Sequence, residues 1–510
     1  MTFLAFNPQT VQSLLSAWDG ALRVSDVVAQ QTVRALTDDS REAGPGVVFI
    51  ARAGVRHSAT EYISMALDRG ASLVLTEHHW PDDRCITMPN LTNNLWRLVS
   101  QGCGADLSGL QIVGVTGTNG KTSVTHFIAG ALMRSGAPHT TAVGVIGTLG
   151  AGLWSAGLEN LKPTGNTTPG SLEILAHCVA FIRSGVRYVV MEVSSHALDQ
   201  NRLDGVPVSV AVFTNLSRDH LDYHGDMERY FAAKAKLFTR PELKAAIINF
   251  DSPAADELLE AIGDAAVCWA YGLGDPDWRV ADCQQVTLTE MTANPQGLQL
   301  TAHTPLGDVA LVSPLIGAFN AGNMLAALAT LLSLGMPLDM AVSGLSQAGA
   351  PPGRMQVFSL PSGGRAIVDY AHTPDALDQV LRAVLDHRAG QGRTICVFGC
   401  GGERDRGKRA LMGTVAERLT DVIVLTNDNP RGESPQAIID DILSGISVYD
   451  TVEIEPDRAV AIQTALDMAG PTDWVLIAGK GHETTQEIAG AFLPFSDVEM
   501  VRRWIGEHAA

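Results

Sequence analysis

Apolar and polar positions along this chain fall into blocks that read as strands feeding helices. Leu110 to Val115 is apolar throughout, as expected of a buried parallel strand, and Val124 to Leu132 then carries helical spacing. Val186 to Val193 and Val208 to Phe213 read as two further buried strands, and Met227 to Phe238 as a helix. Residues 241 to 315 alternate strands and turns, and a strongly apolar helix follows Gly317 to about Leu334. Ahead of this block, Val47 to Ile50 and Ala71 to Thr76 are short strand candidates, with a helix over Glu61 to Arg69. Beyond the break at Pro351-Pro352-Gly353, strands at Arg365–Asp369, Thr394–Phe398, Asp421–Thr426 and Trp474–Ala478 alternate with helical segments. That order predicts an α/β protein of three domains. They are a small α/β domain over 1–107, a central P-loop ATPase-type parallel sheet over 108–348, and a Rossmann-like doubly wound domain over 349–510.

The 510 residues, 46% hydrophobic and 18% charged, suit several ordinary globular domains. A formal net charge of −19 argues against nucleic acid or an anionic membrane as partner. Any anionic substrate must then be held by local cations and amide groups. Seven cysteines without a C-x-x-C pair predict reduced thiols in a reducing compartment, and Cys396 and Cys400 read as strand residues rather than metal ligands. The first residues lack the basic and apolar blocks of a signal peptide, and no apolar run reaches the ~18 residues of a membrane span. A soluble, cytoplasmic protein is expected.

Candidate chemistry starts at Gly117-Thr118-Asn119-Gly120-Lys121-Thr122-Ser123, between the first central strand and its helix. Glycines let backbone N–H groups approach phosphates, and the helix N-terminus adds partial positive charge. Lys121 would reach the β- and γ-phosphates and Thr122 would ligate Mg²⁺. Val115 stands where the longer phosphate-loop pattern has glycine, so this is a shortened form. A nucleoside triphosphate is the expected ligand. Glu192 lies near a strand end, the place where α/β folds keep such chemistry. The segment Thr214 to His224 brings Asp219, His220, Asp222 and His224, read either as a solvated loop or as metal and phosphate ligands. Lys234 and Lys236 lie about 200° apart around a helix, so they cannot share a role. Asn320 and Asn323 share a helical face, as a cap with a surface residue or as a base-reading pair. In the third domain polar clusters follow all four strands, at Asp369–Pro374, Gly401–Asp405, Asn427–Glu433 and Gly479–Glu483. Four clusters on one rim make a binding site.

These motifs, G-T-N-G-K-T, E-V-S-S-H, F-T-N-L-S-R-D-H-L-D-Y-H-G, G-x-F-N-x-x-N, D-Y-A-H-T-P and G-C-G-G-E-R-D, resemble in type and order the Mur ligase family of ATP-dependent amide-forming enzymes. The D-N-P-R at Asp428 to Arg431, with G-K-G-H-E at 479 to 483, resembles the version that adds meso-diaminopimelate. The resemblance implies an enzyme using ATP and Mg²⁺ on UDP-N-acetylmuramoyl-L-alanyl-D-glutamate. A monomer is expected, and the polar clusters at strand ends in both later domains predict a catalytic site where those domains face each other. It implies that Lys121, Glu192, His220 and Lys234 are catalytic, Thr122 and Glu192 holding one ion and His220 and Lys234 the second. Lys234 would then be carbamylated, since an ammonium cannot ligate a cation. ATP would also meet Asn320, Asn323, Arg354, Asp369 and His372. The nucleotide-sugar peptide would meet Ser40, Asn166, Thr167, Thr168, Ser194, Gln200 and Arg202. Diaminopimelate would meet Arg404, Asp428, Asn429, Arg431, Gly479 and Glu483. Two departures stand out: His57-Ser58-Ala59-Thr60-Glu61 replaces an Asp-Gly pair of the first domain, and Asn427 replaces an acidic residue. Another ligase of the superfamily, such as a folylpolyglutamate synthetase, leaves D-N-P-R unexplained. A nucleotide switch leaves the lysine-carbamate site unexplained.

Overall fold

The computed structural model describes residues 3–16, 18, 22–52, 59–134, 142–154, 161–263, 266–274 and 282–508. Residues 57 and 58 of the first departure lie outside these, as do the side chains of 59 and 60. Three main sheets organise the chain. By contacts it divides into two compact units, one of Met1–Thr287, Thr304–Gly307 and Met324–Leu345, the other of Leu288–His303, Asp308–Asn323 and Ser346–Ala510.

The first unit holds the first sheet and most of the second. Phe3–Thr10, Thr32–Thr37, Val47–Ala51, Leu73–Thr76 and Cys85–Thr87 lie side by side in that order, parallel except for the outermost Phe3–Thr10. Only Val47–Ala51 and Leu73–Thr76 were legible as strands. The central sheet has ten strands, of which Val267–Gly272, Ala245–Asn249, Val208–Phe213, Gln111–Thr116, Tyr188–Glu192 and Val143–Gly147 lie side by side in parallel. These strands are almost wholly apolar because helices cover both faces of such sheets. Gly150–Trp154 adds antiparallel at one edge, and Gln284–Asn294, Gly297–Thr304 and Gly307–Ser313 extend the other, so the sheet is mixed where a parallel one was expected. Between Ala245–Asn249 and Val267–Gly272 the chain forms a helix, Ala255–Ile262, where only strands and turns were expected. Register fixes where the loops emerge. Val115 lies opposite Glu192 and Thr116 opposite Phe213, so the loops after these strands leave the sheet at one edge. At the other edge a cavity of about 550 Å³ is lined by Gln111, Tyr188, Lys244 and Trp269 among others.

The second unit carries the third sheet, ordered Gln356–Ser359, Arg365–Asp369, Trp474–Ala478, Thr394–Phe398, Val422–Leu425 and Val452–Ile454. Strand periodicity splits its apolar residues between two cores. Ile367, Cys396, Phe398 and Leu476 join one, while Val368, Val397, Val424 and Ile477 join the other. The result is the doubly wound arrangement expected. Beneath its rim, Arg458 and Asp497 form a fully buried pair, with Arg458 Nη2 2.7 Å from Asp497 Oδ2. The same guanidinium donates to the carbonyls of Ala478 and Asn427, tying two rim loops to one point.

One expectation is corrected. Cys268 and Cys283 form a disulfide, with Cα atoms 4.8 Å apart. Trp269 lies opposite Gln284 in neighbouring parallel strands, which sets the two preceding cysteines side by side. Sequence spacing carries no trace of that register, so the count of cysteines misled. The thiols of Cys396 and Cys400 are buried, which pushes both up to about 12. Among the described residues no helix is long and apolar enough to cross a membrane.

Candidate active site

The Lys121–Arg134 helix begins at the rim of the central sheet, preceded by the glycine-bearing loop. Gly117 has φ of 146°, and a Cβ there would stand 1.9 Å from Thr214 Oγ1, so only glycine fits. Asn119 N–H donates to Asn215 Oδ1 at 2.9 Å, and Thr118 N–H to the Asn215 carbonyl at 2.9 Å. The loop is thus shaped by the strand end beside it. Lys121 Nζ folds back onto the carbonyls of Gly117 and Thr118, at 2.8 and 2.9 Å. Thr122 Oγ1 donates to Glu192 Oε2 at 2.8 Å, with Glu192 only 1% exposed. Hydroxyl and carboxylate here are both hard oxygen donors at a helix N-terminus, a set suited to Mg²⁺.

Across the loop stands the Met227–Ala235 helix. Tyr230 OH lies 3.1 Å from Thr118 Oγ1, and Lys234 Nζ sits 4.4 Å from the centre of the Tyr230 ring. Lys234 is 1% exposed, and burial, reinforced by the charge of Lys121, holds its amine well below the usual lysine range. Lys236 points elsewhere, 3.9 Å from Asp199. His220 takes a left-handed backbone, φ 53°, and its ring packs edge-on against those of His196 and Tyr230. Burial lowers its pKa. The backbone of Asp222 lies in the short Leu221–His224 helix.

A third group adjoins Glu192. Thr168 Oγ1 donates to the Glu192 carbonyl and accepts from Ser194 N–H, at 2.8 and 3.0 Å. Arg202 donates to the Thr168 carbonyl and to Gln200, and Gln200 to Tyr223 OH. Thr167 joins through Thr148 Oγ1, while Asn166 is exposed and contributes its carbonyl to Thr164. The structure therefore brings Thr167, Thr168, Ser194, Gln200 and Arg202 together beside the phosphate loop. Ser40 stands apart, at the start of the short helical turn Ser40–Glu42 that follows the Thr32–Thr37 strand, its hydroxyl on Met65 Sδ.

The second unit has its own cluster of expected residues. Asp369 accepts from Met355 and Ala371 N–H groups at 2.7 Å each, and burial raises its pKa. Arg354 stacks 4.5 Å over the Tyr370 ring, and His372 Nδ1 meets the Tyr370 carbonyl at 2.8 Å. Asn320 and Asn323 are both buried, Asn323 Nδ2 donating to Asn320 Oδ1 at 3.0 Å. Neither is the surface residue of the alternative reading. On the rim, Asn429 Nδ2 donates to Glu483 Oε2 at 2.9 Å, and Asn429 Oδ1 accepts from Lys480 Nζ at 3.0 Å. Although burial opposes it, Lys480 at 2.8 Å keeps the Glu483 carboxyl below its usual range. Asp428 is raised by burial, and Gly479 makes room for it, since a Cβ there would lie 2.4 Å from Asp428 Oδ2. Arg431 Nε lies 3.1 Å from Glu487 Oε2, and Arg404 is exposed on the neighbouring loop.

Comparison with known proteins matches the Mur ligase middle domain to residues 115–331 and the Mur ligase, glutamate ligase domain to residues 353–481. A protein of Coxiella burnetii named UDP-N-acetylmuramoyl-L-alanyl-D-glutamate--2,6-diaminopimelate ligase is 42% identical over 98% of this chain and 99% of its own. One of the same name from Xanthomonas campestris is 44% identical over 91% of this chain and 92% of its own. The chain belongs to the Mur ligase family. A solved structure described by that same ligase name superposes with a TM-score of 0.74 at 33% identity, over 98% of this chain and all of that one.

In this Mur ligase several contacts at the rims escaped the sequence. Thr148 gives both its N–H and its hydroxyl to Glu192, at 2.8 and 3.1 Å. Arg52 bridges the first sheet to Ser171, at 2.9 Å. Arg409, fully buried, binds Glu433, Asp441 and the Gly401 carbonyl, joining two rim loops. Only Tyr230, one helical turn before Lys234, and Lys480, inside a quoted motif, carried a local signal. The close packing at Glu192 yields a test. A Cβ on Gly147 would lie 2.4 Å from Glu192 Oε1, so Gly147→Ala must drive the carboxylate off Thr122. Titration with a fluorescent ATP analogue and Mg²⁺ is expected to show binding weakened about tenfold. Gly104→Ala, with nothing within 4 Å but a φ of 59°, controls for general backbone strain. Unchanged affinity in Gly147→Ala would remove Glu192 from the metal site.

Proposed function

We propose that this chain joins meso-2,6-diaminopimelate to UDP-N-acetylmuramoyl-L-alanyl-D-glutamate, at the expense of ATP, in peptidoglycan precursor synthesis. A carboxylate does not condense with an amine at neutral pH. Phosphorylation by ATP first makes an acyl phosphate, which the amine attacks to give a tetrahedral intermediate that expels phosphate. Transfer of the γ-phosphoryl between two anions depends on positioning and charge neutralisation.

The residues of the first unit suit the first half of that reaction. Lys121, bent onto its own loop carbonyls, extends to the β- and γ-phosphates when nucleotide fills the loop. Thr122 and Glu192 would hold Mg²⁺, and His220 with carbamylated Lys234 would hold a second ion. Bound there, Mg²⁺ neutralises charge on the transferring phosphoryl group. As an ammonium Lys234 does not fit a cation site. Its burial favours the neutral amine, the form that adds carbon dioxide, and the resulting carbamate supplies the oxygens. Ser40 takes the uridine side of the donor, and Asn166, Thr167, Thr168, Ser194, Gln200 and Arg202 take its sugar, phosphates and peptide. Asn320, Asn323, Arg354, Asp369 and His372 serve the nucleotide. The domains divide near residues 107 and 349, and ATP dependence suits a cytoplasmic enzyme.

The observation that carries the choice of amino acid is the pair of opposite charges on the third-domain rim. Arg431 and Glu483 are linked through Glu487 and Asn429. Diaminopimelate has at its far end one carboxylate and one ammonium, which Arg431 and Glu483 complement. Asp428, Gly479 and Arg404 complete the pocket. L-Lysine has no distal carboxylate, and a site built for one rejects the analogue by about 10⁴-fold.

Phosphate release, measured with ATP, the UDP-linked dipeptide and a panel of amino acids, is expected to respond to meso-diaminopimelate and barely to L-lysine. Equal rates with both would end this assignment. Lys234→Ala is expected to bind ATP nearly normally but to lose about 10²-fold or more in turnover, with partial recovery in acetate. Turnover at the wild-type rate would rule out the carbamate.

A further inference from the structure

Arg431 is fixed in more ways than a turn requires. Its backbone is left-handed, φ 53°, its N–H donates to the Glu487 carbonyl at 3.0 Å, and its own carbonyl accepts from Ala489 at 2.7 Å. The side chain then doubles back to the same short strand, Thr485–Ile488, where Nε meets Glu487 Oε2 at 3.1 Å. Nη1 donates to the Gly402 carbonyl at 2.9 Å. Gly401 leaves space for this group, because a Cβ there would stand 3.0 Å from Nη1. We propose that Glu487 is a positioning residue for amino-acid specificity, aiming the guanidinium of Arg431 at the distal carboxylate of the incoming amino acid. This role rests on the third-domain rim being the diaminopimelate pocket.

A guanidinium offers a carboxylate two forks, Nε with Nη2 from the side or Nη1 with Nη2 from the end. Glu487 Oε2 stands 3.1 Å from Nε and sets a negative charge beside the side fork, while one N–H of Nη1 goes to the Gly402 carbonyl. A ligand carboxylate is left the end of the guanidinium, through Nη2 and the second N–H of Nη1. Glu487 also places the cation relative to its counterpart. Its backbone N–H donates to Asn429 Oδ1 at 2.9 Å, and Asn429 Nδ2 donates to Glu483 Oε2 at 2.9 Å. One amide therefore connects the strand that orients Arg431 to the carboxylate that would meet the distal ammonium. The two charged groups of a distal amino-acid head share one carbon, so the distance between their partners has to be set in advance. The side chains of Arg431 and Glu487 are 21% and 25% exposed, where an ion pair adds little through charge alone. What Glu487 contributes is geometry. A long side chain already held in its binding conformation loses less freedom when the ligand arrives.

The full-length enzyme carries the test, with KM measured for meso-diaminopimelate, for L-lysine and for ATP. Glu487→Ala is expected to raise KM for meso-diaminopimelate about fivefold or more and to narrow the preference over L-lysine, while KM for ATP stays within about twofold. Glu487→Gln keeps an oxygen to accept from Nε–H and is expected to remain within about twofold of wild type. Should the alanine variant fail to fold, Glu487→Asp replaces it, keeping the charge one methylene short of Nε with the same rise in KM expected. An unchanged or lowered KM in both Glu487→Ala and Glu487→Asp overturns the inference, as does an equal loss in Glu487→Gln. Wild-type enzyme that uses L-lysine as well as meso-diaminopimelate overturns the pocket itself. Wild-type preference for meso-diaminopimelate with unaltered variants overturns the role of Glu487 alone.

Discussion

A buried lysine that forms no ion pair among the described residues is the constraint around which the central domain is arranged. Lys234 is 1% exposed, its nitrogen rests on the Tyr230 ring, and the charge acting on it most strongly is another cation, Lys121. Burying an unpaired ammonium costs several kcal/mol, and that cost holds the amine well below the usual lysine range. In the proposed carbamate this amine would become an anion, which a divalent cation beside the phosphate loop would balance. Glu192, equally buried, accepts hydrogen bonds from Thr122 and Thr148.

The third domain solves its charge problem differently. There the ionised groups are tied to one another before any ligand arrives: Lys480 to Glu483, Arg431 to Glu487, Arg409 to Glu433 and Asp441, Arg458 to Asp497. Buried pairs such as Arg458–Asp497 gain little over apolar packing, but removing one partner costs about 3–5 kcal/mol. Their effect is to hold the loops that leave one sheet edge in a fixed relation. Pre-paired groups select by geometry, while the unpaired lysine of the central domain is suited to chemistry.

Much of this architecture was legible because strands covered on both faces are continuous apolar runs and end where polar clusters begin. Gln111–Thr116, Tyr188–Glu192 and Val208–Phe213 fell where the pattern put them, and so did four of the five parallel strands of the third domain, all but Val452–Ile454. The first sheet was harder. Phe3–Thr10 alternates exposed and buried residues only over its first half, and Thr32–Thr37 is interrupted by an arginine. What the sequence hid was register. The disulfide of Cys268 with Cys283, the hold of Thr148 on Glu192 and that of Glu487 on Arg431 all join residues that only strand alignment or loop return brings together. Motifs name the groups that touch substrate, whereas the groups that aim them carry no pattern of their own.

The central claim is that ATP is used to activate a carboxylate rather than being hydrolysed by a switch. Labelling the D-glutamyl carboxylate of the UDP-linked dipeptide with oxygen-18 tests it directly. Formation and capture of an acyl phosphate transfers one labelled oxygen to the phosphate released, so phosphate formed in the presence of meso-diaminopimelate is expected to carry the label. Turnover that releases only unlabelled phosphate would contradict the account.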